Sequence, residues 1–311
     1  VFPTKVVAKL DTIVSPFNGL MKILPIDEIS QAIASFKTNN QNGGKRIKLN
    51  IGFFKPLISQ KSGPNGSFAT WGASIDAIAF IHEPQKAYKL CRWMYIQRSY
   101  LYILWFLYLL ISFGPIYYIL YKMNICKKLY LGKLGVVYNQ AGKARVVAAT
   151  NWWLQSAFAG LHDSIFALLK NIRQDGTHDQ EGCFAKFLMR SDFRENLSGY
   201  DLSAATDRLP IDLQVQVLNE FGIDGDLWKD LLSINWLYSD KVNSTEITYS
   251  VGQPMGALSS WAMLALTHHV IARIAFIRSN QKPELGNYCI LGDDIVINND
   301  YASQEYLKIM S

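Results

Sequence analysis

Charge is scarce in this chain. Of its 311 residues, 31 are Lys or Arg and 25 are Asp or Glu, so 18% carry charge while 50% are hydrophobic. That balance excludes an intrinsically disordered chain and leaves enough apolar material for one large domain or two fused subdomains. Cysteine is scarcer still. Cys91, Cys126, Cys183 and Cys289 lie far apart and form no CxxC pair. No zinc site can be built from that spacing, which suits reduced thiols in an intracellular compartment. Internal repeats, long low-complexity tracts and a signal-peptide pattern are all absent, and the first residues lack the Arg- and Ser-rich composition of a transit peptide. The chain also starts on Val1 and not on Met, which suggests a fragment or a processed chain, so its silence about targeting means little.

The charge that is present leans basic, with a net +6 and a pI near 9.0. This suits a polyanionic partner, although many proteins without nucleic-acid function share it. One run has no charge at all: residues 101–121 (LYILWFLYLLISFGPIYYILY), with Arg98 before it and Lys122 after it. Its length meets the criterion for a membrane span. Against a span, Ser112, Gly114 and Pro115 divide the run into two arms. Its aromatic residues also spread through the middle and do not gather at the ends. The expectation is a buried or membrane-apposed helical hairpin, with membrane contact through 101–121 kept as a possible partner.

The remaining texture is that of a mixed fold. Residues 39–48 (NNQNGGKRIK) and 61–66 (KSGPNG) are rich in turn formers and read as loops. Residues 136–150 (VVYNQAGKARVVAAT) place two strand-like runs around a glycine turn at Gly142. Helical apolar spacing marks residues 152–171, 211–221 and 261–277. The second of these has Pro210 ahead of its first turn and Gly222 as its stop. Residues 288–297 (YCILGDDIVI) are two short β-branched runs around Gly-Asp-Asp, the pattern of a hairpin.

That hairpin carries the first chemical signal. Asp293 and Asp294 are adjacent carboxylates at the tip of an apolar hairpin; like charges repel, and a bound divalent cation relieves them. An ordinary solvated acidic turn explains the pair equally well. A second cluster shifts the balance. Residues 198–210 (SGYDLSAATDRLP) place Asp201 after a strand-like lead and Asp207 beyond small residues. Asp201 is expected to face the Asp293 hairpin across a shared cleft. Two-metal phosphoryl transfer needs carboxylates from separate segments in this way. Asp207 also reads as a helix N-terminal acid. Residues 252–260 (GQPMGALSS) form a Gly/Pro loop opening a helix, and Lys143 and Arg145 share one face of a strand. Each of these last two features is ordinary on its own.

In this order, the segments resemble the palm and fingers of the RNA-dependent RNA polymerases of the mitoviruses and their narnavirus-like relatives, including copies carried in plant mitochondrial or nuclear genomes. DLSAATDRLP resembles the first palm motif of that family, GQPMGALSSWAMLALTHH the second and LGDDIVI the third. GKARVVAATNWWLQ resembles the fingers motif, and KSGPNG and DGTHDQ resemble further segments, so the likeness runs from about residue 61 to 297. It implies an α+β right-hand polymerase fold, fingers and palm with an antiparallel palm sheet, the thumb missing. Residues 1–130 would be an N-terminal extension and part of the fingers. Residues 131–190 would be fingers with the triphosphate-contacting motif, and 191–311 the palm with its metal-binding aspartates.

The resemblance also implies roles. Asp201, Asp293 and Asp294 would be catalytic and would hold Mg²⁺, with Mn²⁺ as the other candidate ion, and Leu202 would lend its backbone carbonyl. Lys143 and Arg145 would neutralise the incoming triphosphate. Asp207 would read the ribose 2′-hydroxyl and Ser260 would support sugar recognition. The implied partners are a single-stranded RNA template and ribonucleoside triphosphates, and the implied location is the mitochondrion. Two departures stand out. Leu264 occupies the place of an asparagine found in many positive-strand enzymes, and only residues 295–311 follow the paired aspartates, so the lysine-bearing palm motif and the thumb are expected to be missing. Three other readings compete. One is a non-catalytic endogenised remnant. Another is an intron-type reverse transcriptase, disfavoured because Asp207 stands where those enzymes favour a bulky side chain. The third is a membrane-attached RNA-binding protein anchored through 101–121.

Overall fold

The computed structural model describes residues 10–19, 23–36, 48–138, 144–191, 196–239, 244–284 and 286–311. Expectations that fall on residues 39–47, on Gly142 and on Lys143 lie outside the described residues. The described residues open with two short helices, α1 (Asp11–Val14) and α2 (Ile26–Ala34). The expected loop at 61–66 follows, where Asn65 joins two distant segments. Its amide donates to Asp76 Oδ1 and to Tyr130 O, both at 2.8 Å, and its Oδ1 accepts from Tyr130 N–H at 3.0 Å. Next come α3 (Ala73–Ile78), a 3-10 turn (Ala79–His82) and α4 (Pro84–Ile96). Pro84 begins α4 at a position where a missing N–H costs nothing.

Residues 101–121 are not a hairpin. They lie in one continuous helix, α5 (Tyr100–Lys122), of 23 residues with Pro115 inside it. A proline in a helix interior orphans the carbonyl four residues earlier. Here that residue is Ile111, which is 68% exposed, so the loss falls on the outer side. Gly114 serves a contact and makes no break: a Cβ there would stand 3.0 Å from Ile81 Cδ1.

β1 (Gly132–Tyr138) and β2 (Ala144–Thr150) follow as an antiparallel pair. Asn151 then caps α6 (Trp152–Leu169), its side chain accepting from Trp153 N–H at 2.9 Å. Asp179 caps α7 (Gln180–Arg190) in the same manner. β3 (Ser198–Asp201), α8 (Ala205–Arg208), α9 (Ile211–Glu220) and α10 (Gly225–Leu232) lead into β4 (Trp236–Ser239) and β5 (Ser244–Ile247). The chain continues through α11 (Ser260–Arg278), the hairpin β6 (Tyr288–Leu291) and β7 (Asp294–Ile297), and α12 (Asp300–Met310). The helices expected at 152–171, 211–221 and 261–277 are α6, α9 and α11, and Gly222 turns the chain away from α9 with φ +82°.

These elements make an α+β fold with two sheets. One has the order β2-β1-β4-β5, in which β1 and β4 run parallel; the other, β3-β7-β6, is wholly antiparallel. Strands β4 and β5, drawn from the span expected to be palm, thus join β1 and β2 from the span expected to be fingers. Helix α11 runs through the middle of the molecule, buried on every side and packed against α2, α6, α9 and α12. Cys183 and Cys289, distant in sequence, meet with their sulfurs 3.0 Å apart, and all four cysteines are free thiols.

Candidate active site

The site is built at the end of the antiparallel sheet. Strand β3 pairs with β7 so that Asp201 lies directly opposite Asp294, and β6 pairs with β7 so that Leu291 does as well. Two residues, Gly292 and Asp293, therefore close the hairpin. Gly292 has φ +63° while Asp293 keeps a negative φ, which matches the two-residue hairpin turn that takes glycine at its first central position. Leu202 N–H donates to Asp293 O at 3.3 Å, which ties the residue after β3 to the turn itself. The sequence leads to the expectation of an antiparallel palm sheet with Asp201 facing the hairpin across a shared cleft. Asp201 and the hairpin are direct neighbours on hydrogen-bonded strands, and strand order is a tertiary property that no local pattern encodes.

Three carboxylates are thus gathered at one sheet end. Asp201 and Asp294 are exposed and Asp293 is half-buried. Partial burial, and then the charges of Asp293 and Asp201, push the Asp294 carboxyl above its usual range. Among the described residues no three ligating side chains converge on a ready-made metal cage. The donors are nonetheless all oxygen, as Mg²⁺ and Mn²⁺ prefer, and their mutual repulsion is what a divalent cation removes.

Beneath the turn lies a buried support that the sequence analysis did not assign. His268 in α11 is fully buried, and burial drives its imidazole down to about 4, so it is neutral. Its Nδ1 is 2.8 Å from Gly292 O and its Nε2 is 2.8 Å from Tyr306 OH in α12. A carbonyl only accepts, so Nδ1 carries the proton and Nε2 accepts from the tyrosine. The adjacent His269 is also buried and faces elsewhere: its Nε2 is 3.0 Å from Asp175 Oδ2. Asp175 in turn bridges to Ile290 of β6, and Gly176 N–H donates to Ile290 O at 2.8 Å. The DGTHDQ segment thus borders the hairpin. The available signal was two consecutive histidines in an otherwise apolar helix. Each needed a partner, and the partners are 19 to 94 residues away.

The second motif packs against the first. Gly252 N–H donates to Asp207 O and Gln253 N–H to Thr206 O, both at 2.9 Å. Only glycine permits that approach, since a Cβ on Gly252 would lie 2.2 Å from Thr206 O. Asp207 sits in α8, reached through Ala204, whose left-handed φ of +52° reverses the chain after β3. Thr12 Oγ1 donates to Asp207 Oδ2 at 2.7 Å; Oδ1 has no partner among the described residues. Burial pushes this carboxyl up, opposed by Thr12 and by the neighbouring Arg208. Arg208 itself grips the N-terminal segment through Ser15 O, Pro16 O and Asn18 Oδ1.

Ser260 is buried at the start of α11, and its hydroxyl donates to Pro254 O at 2.9 Å. Ser259, just before it, holds a left-handed φ of +70°; its Oγ accepts from Trp228 Nε1 and its N–H donates to His162 Nδ1. Arg145 stands exposed on β2, in the other sheet. Three residues further along that strand, Ala148 N–H donates to Met255 O at 2.7 Å, so the motif carrying Arg145 adjoins the loop that opens α11. The structure therefore unites Asp201, Leu202, Asp293 and Asp294, and sets Asp207, Ser260 and Arg145 in successive neighbouring segments. Trp261 completes the surroundings. It is partly exposed, stacks on Phe166 and borders the turn, with its Cζ2 3.0 Å from where a Gly292 Cβ would be.

The family model of the mitovirus RNA-dependent RNA polymerase matches residues 50–311, and the chain belongs to that family. The RNA-directed RNA polymerase of Cryphonectria parasitica mitovirus 1 is 44% identical to it over 317 aligned residues, which cover 100% of this chain and 38% of that protein. The chain thus spans well under half the length of that relative. An uncharacterized mitochondrial protein of Arabidopsis thaliana is 33% identical over 151 residues, 46% of this chain and 59% of that one. Among solved structures, the RNA-dependent RNA polymerase from bacteriophage phi12 aligns over 96% of this chain and 52% of its own at 12% identity, but with a TM-score of 0.43 the likeness is too weak to argue from.

Proposed function

We propose that this chain carries the nucleotide-adding site of an RNA-dependent RNA polymerase, which extends RNA on a single-stranded RNA template. The observation that supports this best is the pairing of Asp201 with Asp294 around the turn residue Asp293. In the reaction, the 3′-oxygen of the growing RNA bonds to the α-phosphorus of a ribonucleoside triphosphate. The bond from that phosphorus to the pyrophosphate oxygen breaks and the 3′-proton is released. Asp201 and Asp293 would hold Mg²⁺ or Mn²⁺, assisted by Asp294 and the Leu202 carbonyl. Bound there, the ion supplies charge neutralisation on the triphosphate and a lowered pKa for the 3′-hydroxyl.

The chain's own groups supply position. The His268 bond to Gly292 O and the Leu202 bond to Asp293 O hold the backbone of the turn that carries Asp293 before substrate arrives, a preorganisation of the kind on which electrostatic catalysis draws. The Oδ1 of Asp207, without a partner among the described residues, is suited to accept a hydrogen bond from a ribose 2′-hydroxyl, and Lys143 and Arg145 are the cations offered to the triphosphate. We place β3, β6, β7 and α11 in the palm and the four-stranded sheet in the fingers. The mitochondrial names among the relatives make that compartment the first place to look for the protein.

The test is incorporation of labelled ribonucleotide on an RNA template with Mg²⁺ or Mn²⁺. Asp293→Asn should reduce the signal to background, whereas Asp207→Ala should retain synthesis but accept deoxyribonucleotides more readily. Full activity in Asp293→Asn would refute the metal assignment. No signal from folded wild-type protein would favour the endogenised remnant.

A further inference from the structure

Helix α5 presents an apolar face that no described residue covers. Phe106, Leu109 and Gly114 are its buried residues, forming a stripe packed on α3, the 3-10 turn and α4. Leu101, Leu104, Tyr108, Ile111, Pro115 and Ile119 recur at three- and four-residue spacing and are all exposed, Leu101 by 79%. Tyr95 and Ile96 extend the exposed apolar matter at one end, and Met123 and Ile125 at the other. Contiguous apolar surface on this scale marks an interaction site.

Along the sequence, the charges that flank it are of one sign. From residue 84 to 162 the sequence has ten lysines and arginines and not one aspartate or glutamate. Lys89, Arg92 and Lys128 are paired with acids from elsewhere in the chain. Arg98, Lys122 and Lys127, which flank α5, have no carboxylate partner among the described residues. Unpaired cations at both ends of an apolar, tyrosine-rich face complement a surface that is hydrocarbon inside and anionic at its boundary. A polyanion such as RNA would satisfy the cations but leave Leu101, Leu104 and Ile111 in water.

The helix cannot cross a bilayer while this fold persists. Twenty-three residues span about 34 Å, so a crossing would put the two ends on opposite sides of a hydrocarbon layer of about 30 Å. Both ends are instead held by the same body. Near the first, Tyr102 stacks on Phe54 with centroids 4.5 Å apart, and Ser99 Oγ accepts from Phe54 N–H. Near the second, Tyr117 OH accepts from Leu129 N–H at 2.9 Å and meets His82 Nε2 at 3.0 Å. We infer that α5 lies in the plane of an anionic lipid surface, with its outer face in the acyl boundary and Arg98, Lys122 and Lys127 at the headgroups.

Flotation of the full chain with phosphatidylcholine vesicles, with and without phosphatidylglycerol, tests this. Wild-type protein should float with the anionic vesicles, weakly with the neutral ones, and less as salt rises. Leu104→Glu with Ile111→Glu should abolish flotation while leaving the thermal midpoint unchanged, since both positions are exposed. Removing the three cations (R98Q, K122Q, K127Q) should weaken partitioning about fivefold each, or roughly a hundredfold together. Failure of wild-type protein to float, equal binding to both vesicle types, or flotation of the double variant would each overturn the inference. So would a dimer that ignores vesicles and dissociates in Ile111→Glu, because the face would then belong to a second copy.

Discussion

Helices α5 and α11 have nearly the same credentials and opposite fates. Both are long and apolar, with mean hydropathies of 1.9 and 1.3 over their most apolar stretches, yet 17% of that stretch is buried in α5 and 89% in α11. The more hydrophobic helix is the more exposed one. What separates them is polar content with partners. In α11, His268, His269 and Arg273 interrupt the apolar run, and each is satisfied. Arg273 donates to Tyr288 OH, to Ser35 O and to Ser35 Oγ, and lies over the Phe36 ring. Small residues, Ala262, Ala265, Ala272 and Ala275, let neighbouring elements approach from all sides. Helix α5 offers bulky aromatic and aliphatic groups and almost nothing that needs a buried partner. Hydropathy measures what a helix tolerates; paired polar groups record where it sits.

The largest contrast should come from introducing a charge into each helix. Leu264→Glu places an unpaired carboxylate in the core and should cost about 3–5 kcal/mol in urea unfolding, enough to prevent folding of a marginal domain. Ile111→Glu should change stability by less than about 0.5 kcal/mol. Comparable losses would mean that α5 is covered after all. An intermediate effect is expected for Tyr306→Phe. It removes the hydroxyl that satisfies His268 Nε2 and leaves a buried acceptor orphaned, at about 1–3 kcal/mol. Metal-dependent nucleotide incorporation should fall with it, since the His268 ring that donates to the Gly292 carbonyl loses its second anchor.

The smallest net effect, in the wild type, is a pair of opposed pH slopes that largely offset each other. Asp76, on the helix that supports α5, accepts from Trp152 N–H and the Asn65 amide at 2.8 Å, and burial raises it from 3.8 to about 6. Its folded pKa exceeds the unfolded one, so its contribution is full below pH 3.8 and is lost as pH rises through 6. His268 is shifted the other way, from 6.5 to about 4, so its contribution is full above pH 6.5 and is lost as pH falls toward 4. Asp76→Asn removes the first slope only. Its unfolding free energy should therefore rise more steeply between pH 4 and 6.5 than that of the wild type. An unchanged profile would exclude Asp76 as a titrating group.

Much of this was legible in the sequence because it is local. The turn needs glycine where Gly292 stands, α9 starts behind Pro210 and stops at Gly222, and β6 and β7 are short branched runs. The misreading of 101–121 arose from treating Gly114 and Pro115 as breakers by composition. The first answers to Ile81, more than thirty residues away, and the second is tolerated because its orphaned carbonyl faces outward. An antiparallel sheet that brings Asp201 near the hairpin was expected, but the register that sets Asp201 opposite Asp294 was out of reach, since β3 joins the hairpin across some ninety residues of chain. The support from His268 and the Asp175–His269 contact was illegible too, because a buried histidine announces a partner without naming it.

The contact between Trp261 and the hairpin turn gives the molecule an optical gauge of its own. This partly exposed indole borders Gly292, next to the aspartate assigned to the ion, whereas Trp93, Trp153, Trp228 and Trp236 are shut away in the core. A cation settling on Asp293 alters the field across that ring. If the proposed ion site is right, the emission of wild-type protein, less that of Trp261→Phe, should give a titration curve for Mg²⁺ or Mn²⁺ that needs no label, no template and no turnover.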